Sequence, residues 1–298
     1  MNPRFLFVTL TIQPAVRKAG IRNPGKLVVN QAFLSVNSEK PLMRFSSILR
    51  LFILATCSPV LFSCNEKEEL TTASLNDYYT SLAAGKYITY RLDSTVFTNF
   101  GRAIEVHKYQ VKHQVDALIT DNLGRPSYRV FRYIRDSAGL QPWQANVSYF
   151  VTVLSDQLEV IDDNLRVIKL HLPIKNGFSW KGNRHLPVDP FASLFNFNND
   201  DNIDDWDFFY DGEPASFSYQ GKNYSDVITV EQADESFNVP IVVNGAYASI
   251  NRSVERYSKG IGLVYRDFIL WEQQPNEGNP AGPSKSGFGL TMWMIDHN

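Results

Sequence analysis

The stretch Lys108-Tyr109-Gln110-Val111-Lys112-His113-Gln114-Val115-Asp116-Ala117-Leu118-Ile119 decides the fold of this chain. Its odd-numbered positions are mainly apolar, whereas the even-numbered positions from Lys108 to Asp116 are all polar. This period of two is typical of a β-strand with one buried face, because successive side chains point to opposite sides of a sheet. The strand is predicted to begin near Ala103. It is then longer than the common length of about 5–6 residues, and long strands coil.

The same alternation begins near Lys86 and returns along the rest of the chain, separated by turn sequences rich in Gly, Asn and Asp. Such regular turns are typical of an antiparallel meander. We therefore predict an all-β, mainly antiparallel fold, built as a long-stranded curved meander or an open half-barrel. Further strands are predicted at about Ile88–Val96, Tyr128–Arg135, Val147–Leu154, Leu158–Ile161, Leu165–Leu172, Trp206–Tyr210, Ala215–Gln220, Tyr224–Glu231, Tyr247–Tyr257, Leu263–Glu272 and Phe288–Ile295.

One short helix is predicted before the first strand. Ser74 and Asp77 have the spacing of a capping box, and Gly85 provides a stop. Between them, apolar side chains recur on one face of a helix: Leu75, Tyr78, Tyr79, Leu82 and Ala83.

Residues 74–298 are predicted to form a single β domain with an irregular insertion at about 173–205. Prolines and Asn/Asp clusters interrupt the alternation there. A long insertion and a boundary between two sub-sheets both remain open, because a structureless segment of this length is uncommon in a compact domain. The last two strands are joined by a Pro/Gly-rich loop, Pro275–Pro283.

The N-terminal region has the layout of an export signal. Met43-Arg44 opens a short basic segment that ends at Arg50, and Leu51–Ser63 then contains no charged residue. As a helix this run reaches about 20 Å, which is short of the ~30 Å hydrocarbon core of a membrane. It ends in Leu61-Phe62-Ser63-Cys64, which resembles the lipobox of bacterial lipoproteins, although Phe62 is bulkier than the usual residue.

The resemblance implies that residues 43–63 are a signal peptide and that Cys64 becomes the mature N-terminus. Cys64 then carries a diacylglycerol thioether and an N-acyl chain such as palmitate, and several acyl chains anchor a protein firmly. Residues 64–73 become an acylated polar tether. Residues 1–42 are interpreted as an over-called N-terminal extension, the alternative being an unusually long basic leader. An ordinary secretory peptide is the alternative to the lipoprotein hypothesis.

The acidic residues after Cys64 resemble the export signal of some Bacteroidota lipoproteins. We therefore predict an outer-membrane location, and either face of that membrane remains possible. A second resemblance is carried by Arg256–Arg266, whose Tyr-x-x-Gly-x-Gly-Leu-Val turn is similar to the late hairpin of uncharacterised envelope lipoproteins and lipoprotein-carrier-like half-barrels. It implies a curved antiparallel sheet wrapped round a helix.

Removing the leader changes the charge of the chain. Residues 1–63 contain eight of the 29 basic and one of the 31 acidic side chains, so residues 64–298 carry 21 basic and 30 acidic ones, a formal charge of −9. An acidic protein of this kind is not expected to bind nucleic acid. Of the two cysteines only Cys64 remains, which excludes a disulfide within the mature monomer.

Sequence motifs of enzymes are mostly absent. The chain lacks the Gly-x-Ser-x-Gly, His-Glu-x-x-His, P-loop and dinucleotide-binding patterns. His107 and His113 lie on one face of the same predicted strand but about 20 Å apart at ~3.3 Å per residue, too far to share a metal ion. We therefore interpret both as hydrogen-bonded histidines of the core or the rim, and apart from the calcium candidate below we expect no cofactor.

Two groups of residues are candidates for a binding site. Asp200, Asn202, Asp204 and Asp211 match part of the ligand spacing of an EF-hand calcium loop, although the glycine of its sixth position is replaced by Asp205. A solvated acidic loop is the alternative. Trp180, Asn183 and Trp206 could hold a sugar or another polar ring between an aromatic face and amide groups. Core packing is the alternative for each tryptophan.

We therefore predict a lipid-anchored envelope protein with a non-catalytic binding or structural role. Its partners are the membrane, through the N-terminal lipid, and an apolar ligand, a glycan or an envelope protein. The alternative is an envelope polysaccharide hydrolase that uses carboxylates of the Asp200–Asp211 region as acid and base.

Overall fold

Antiparallel strands make up most of the described residues in the computed structural model. The structure describes residues 74–79, 82–195, 197, 202–276, 278 and 280–298, and within them 13 strands belong to one sheet. The strands are Tyr87–Thr98 (β1), Ala103–Thr120 (β2), Pro126–Asp136 (β3), Gln144–Val153 (β4), Gln157–Asp162 (β5), Leu165–His171 (β6), Ser179–Lys181 (β7), Asp207–Tyr210 (β8), Ala215–Tyr219 (β9), Lys222–Phe237 (β10), Ala248–Ser258 (β11), Gly262–Gln274 (β12) and Ser284–His297 (β13).

The sheet is a meander that curls until its two ends meet. Its order is β6-β5-β4-β3-β2-β1-β13-β12-β11-β10-β8-β7, and β9 pairs with β10 beside this path. At the meeting point the amide of Ile168 in β6 donates to the carbonyl of Gly182, just after β7, over 2.9 Å. The indole of Trp180 in β7 donates to the carbonyl of Ile168, also over 2.9 Å. These bonds make the sheet a nearly closed barrel, so the predicted all-β curved fold is confirmed.

Alternation along each strand gives the sheet an inner and an outer face. On β2 the inner positions include Val111, His113 and Val115, and the register pairs His113 with Arg132 of β3 and Val115 with Val130. Because side chains on paired positions share a face, each inner residue lies beside the inner residue of the next strand.

The N-terminal helix is shorter than its apolar pattern predicted. The helix α1 spans only Leu75–Tyr78, and Ser74 and Asp77 form the predicted capping box. After the helix, the amide of Gly85 donates to the carbonyl of Val115 on β2, and the amide of Val115 donates back to Lys86. This pairing with the sheet holds residues 82–86 in a turn, so the tertiary hydrogen bonds override the helical pattern.

The insertion predicted at about 173–205 is partly structured. It contains β7, a second short helix Ala192–Phe195 (α2) and a 3₁₀ turn Ile203–Asp205. The rings of Phe191 and Phe195 pack on Phe288 of β13, at centroid distances of 5.5 and 3.8 Å. The insertion therefore fills one end of the barrel interior with aromatic side chains, and α1 lies at the other end.

The chain divides into two units, Met1–Glu69 and Leu70–Asn298. All described residues belong to the second unit, so the predicted signal peptide, the extension 1–42 and Cys64 lie outside them. Among the described residues, no helix has the length and apolar character needed to cross a membrane.

Candidate functional site

A cavity of about 110 Å³ lies in the barrel interior at the end that carries α1. The inner faces of the sheet form its walls, and Tyr79, Leu82 and the turn from Gly260 to Leu263 also line it. Apolar side chains such as Val115, Val130 and Val160 line part of the wall, whereas a cluster of charged groups lines the rest. The cavity, which is partly open to solvent, therefore offers both apolar and ionic contacts.

Glu255 of β11 is the centre of the charged cluster. Its side chain is only 1% exposed. Oε1 accepts a hydrogen bond from Nζ of Lys169 over 2.7 Å and lies 3.3 Å from Nε of Arg266. Oε2 accepts a hydrogen bond of 2.6 Å from the hydroxyl of Tyr257. Two cations and one hydroxyl thus surround a single buried carboxylate.

These contacts set the ionisation of the cluster. Burial alone raises the pKa of Glu255, but the positive charges of Lys169 and Arg266 outweigh it and hold that pKa below its ordinary value. Burial and the nearby Arg266 lower the pKa of Lys169, against the opposing effect of Glu255. The carboxylate is therefore ionised at neutral pH, and its charge is compensated inside the protein.

A second ion pair shares the cavity wall. Nη2 of Arg132 on β3 donates to Oδ2 of Asp162 on β5 over 2.5 Å. The other oxygen of Asp162, Oδ1, is buried and has no hydrogen-bond partner among the described residues. The guanidinium of Arg132 also lies 5.4 Å from the ring centroid of Tyr149.

His113 lies between two tyrosines on the inner face. The hydroxyl of Tyr149 lies 3.1 Å from Nδ1, and the ring of Tyr90 packs at a centroid distance of 5.0 Å. This contact confirms the prediction of a hydrogen-bonded core histidine for His113. His107, by contrast, is exposed, and its Nε2 lies 3.0 Å from Glu105. Burial, reinforced by Arg132 and Arg266, holds the pKa of His113 well below its ordinary value.

We expect His113 to make the protein less stable in mild acid. The unfolded chain binds a proton at this position below a pH of about 6.5, whereas the folded protein does not, so stability falls as the pH decreases. Between pH 7.5 and 5.5 this residue contributes a loss of about 1 kcal/mol in the free energy of unfolding. The substitution His113→Gln should remove that part of the pH dependence, as measured by urea unfolding at both pH values.

The exposed His107 provides the matched control for this experiment. A His107→Gln protein should keep the pH dependence of the wild type, because the effect comes from the enclosed site of His113. Equal pH dependence in wild-type and His113→Gln proteins would contradict the assignment.

The aromatic candidates from the sequence lie away from the cavity. Trp180 is buried, and its ring packs on Tyr210 at 4.9 Å and on Phe178 at 6.2 Å. Asn183 is buried as well, and its amide donates to the carbonyl of Ile203 over 2.9 Å. Trp206 is half-buried and borders an open groove on another part of the surface. The three residues form no common pocket with the charged cluster.

Parts of the predicted calcium loop are described and parts are not. Asp200 lies outside the described residues. Asn202 precedes the 3₁₀ turn, Asp204 is within it, and Asp211 follows β8. No group of three His, Cys, Asp or Glu residues within the described part of the chain has a metal-binding arrangement. The calcium site therefore stays a prediction.

Acidic side chains near this loop pair with a lysine. Nζ of Lys181 lies 3.1 Å from a carboxylate oxygen of Asp205 and 3.1 Å from one of Asp207. Both aspartates line the open groove together with Glu231, whose pKa is raised by burial and by the neighbouring Asp234 and Asp211.

The charged cluster was missed because its members are far apart in sequence. Lys169 and Glu255 are 86 positions apart. One local feature of the sequence could have indicated the cluster. Glu255 takes an inner position of a strand, two residues before Tyr257. A charged residue on the buried face of a strand is unusual unless it is paired, which would have marked Glu255 for attention.

Comparisons with known proteins give no family for this chain. No family model matches the sequence, and no curated protein matches it. A crystal structure of a DUF1329 family protein from Desulfovibrio piger aligns over 73% of this chain and 87% of its own, at 10% identity and a TM-score of 0.16. A similarity of this size carries no inference about fold or function.

Proposed function

We propose that the protein is a lipid-anchored cell-envelope protein that binds an apolar or amphipathic ligand inside its curved sheet and performs no reaction on it. The interior cavity of about 110 Å³ is the observation that supports binding. A cavity of about 150 Å³ accommodates a molecule the size of benzene. The cavity of this protein is smaller, so it suits a molecule smaller than benzene or the end of a longer one.

The contacts of the residues predicted to bind a glycan favour an apolar or amphipathic ligand instead. The polar groups of Trp180 and Asn183 already bond to backbone carbonyls, so a sugar would have to replace internal hydrogen bonds. The hydrolase alternative has less support as well, because Asp205 and Asp207 share Lys181 as a partner. The membrane part of the proposal rests on Leu61-Phe62-Ser63-Cys64 and on the outer-membrane expectation from the sequence.

Mass spectrometry of the natively purified protein tests the binding role. We expect one small amphipathic molecule bound per chain. The substitution Val160→Phe adds a ring to the cavity wall and should remove most of that ligand, because the added volume occupies the same space.

Val106→Phe is the matched control, since Val106 is 49% exposed on β2 and should leave the bound ligand unchanged. A wild-type protein that carries no ligand, or a Val160→Phe protein that retains it fully, contradicts the proposal. Circular dichroism of both variants establishes that they are folded.

A further inference from the structure

The charges that line the cavity do not cancel. Among the buried and half-buried groups of its lining, Arg132, Lys169 and Arg266 face the carboxylates of Asp162 and Glu255, so this cluster has one positive charge in excess. His113 does not change this balance, because its lowered pKa keeps it neutral at neutral pH. Lys86, His297 and Asn298 also border the cavity, but all three are exposed, so water screens any charge that they carry.

The excess charge can be assigned to one residue. Glu255 accepts hydrogen bonds from Lys169 and Tyr257, and Asp162 pairs with Arg132. Arg266 touches Glu255 only through Nε at 3.3 Å, without the alignment that a hydrogen bond requires. Within the described part of the chain its guanidinium donates no hydrogen bond, and its side chain is 27% exposed. Arg266 is therefore a charged donor with unused hydrogen-bonding capacity at the cavity wall.

Building on the proposed binding function, we infer that the ligand is an amphiphile with a single carboxylate, which Arg266 binds through its guanidinium while the apolar part contacts Val115, Val130 and Val160. The planar fork of an arginine matches the two oxygens of a carboxylate. One negative charge also neutralises the excess of the cluster. An entering carboxylate gains these bonds without breaking any that Arg266 makes within the described residues, whereas a cationic ligand meets three positive groups.

The position of Arg266 suits this role. It is paired with Glu255 across β11 and β12 and with Met292 across β12 and β13, so it stands on the inner face between a charged and an apolar neighbour. Its guanidinium packs on the ring of Phe268 at 4.7 Å. The guanidinium is thus supported on one side by an aromatic ring.

The experiment is calorimetric titration of the full mature chain with three ligands of equal length: octanoate, octanol and octylamine. We expect octanoate to bind one molecule per chain at least tenfold more tightly than octanol, and octylamine to bind least. In the variant Arg266→Gln, octanoate affinity should fall at least tenfold, to the level of octanol, which corresponds to about 1.4 kcal/mol. The octanol affinity of Arg266→Gln should stay within twofold of the wild-type value. An unchanged octanol affinity would show that the cavity is intact in the variant.

Arg129→Gln is the matched control. Arg129 packs on Phe131 at 5.2 Å, as Arg266 packs on Phe268, but it pairs with Asp116 and takes no part in the cavity wall. Its octanoate affinity should equal that of the wild type. Equal affinities for octanoate and octanol, or an unchanged octanoate affinity in Arg266→Gln, overturn the carboxylate assignment and leave the proposed binding function standing. Failure of all three ligands to bind counts against both.

Discussion

Replacing Glu255 with leucine is expected to lower the free energy of unfolding by about 3–5 kcal/mol, because it leaves a buried cation without its partner. Lys169, whose side chain is 12% exposed, forms an ion pair with this carboxylate alone among the described residues. Losing one member of a buried pair costs more than the pair contributed, since the remaining charge keeps its desolvation penalty. Urea unfolding followed by tryptophan fluorescence measures the change.

A double variant separates this mechanism from simple loss of packing. In Glu255→Leu combined with Lys169→Met, most of the lost stability should return, because two apolar side chains replace a buried ion pair at little cost. The exposed pair of Glu105 and His107 gives the control. Glu105→Leu should leave the free energy of unfolding nearly unchanged, because exposed ion pairs contribute little. If the double variant is less stable than Glu255→Leu, the unpaired-charge explanation is wrong.

Replacing Cys64 with alanine is expected to abolish lipid attachment and release the protein from the membrane fraction. The thioether to diacylglycerol needs the thiol of this residue, and firm anchoring needs more than one acyl chain. Cells labelled with palmitate should therefore show a labelled wild-type protein and a Cys64→Ala protein at background level. Membrane fractionation of the same cells gives the second measurement.

Cys57 allows a matched comparison, because it is the other cysteine of the chain and lies seven residues upstream in the predicted signal peptide. Cys57→Ala should retain both the label and the membrane association. A labelled Cys64→Ala protein would show that the lipobox hypothesis is wrong. Loss of label in Cys57→Ala but not in Cys64→Ala would move the anchor to the other cysteine.

Lipid attachment at Cys64 and ligand binding in the cavity are predicted to be independent of each other. A protein with Cys64→Ala should bind octanoate as the wild type does, because Arg266 and Glu255 belong to the sheet. In the proposed function, the lipid would hold the protein at the membrane and the barrel interior would bind the ligand. A variant that loses only lipid attachment, or only octanoate binding, therefore tests one of the two proposals without the other.

The strands were predictable because each is a local pattern. The predicted strand from about Ala103 to Ile119 agrees closely with β2, Ala103–Thr120, and the loop Pro275–Pro283 lies between the observed β12 and β13. The three-residue β7 was missed. Its partner β8 lies more than 20 positions further along the chain, and three residues are too few to show a period of two.

The sequence by itself determined the class of fold and the residue that is predicted to carry the lipid. Alternation of apolar and polar side chains is a property of neighbouring residues, and so is the run that ends at Cys64. Only the tertiary structure decided where the barrel closes and which charges meet inside it. Glu255, Lys169 and Arg266 lie on three different strands, and their contact depends on the strand register and on the curl that brings β6 next to β7. Register and curl are set by packing of the whole sheet, so no single stretch of sequence contains them.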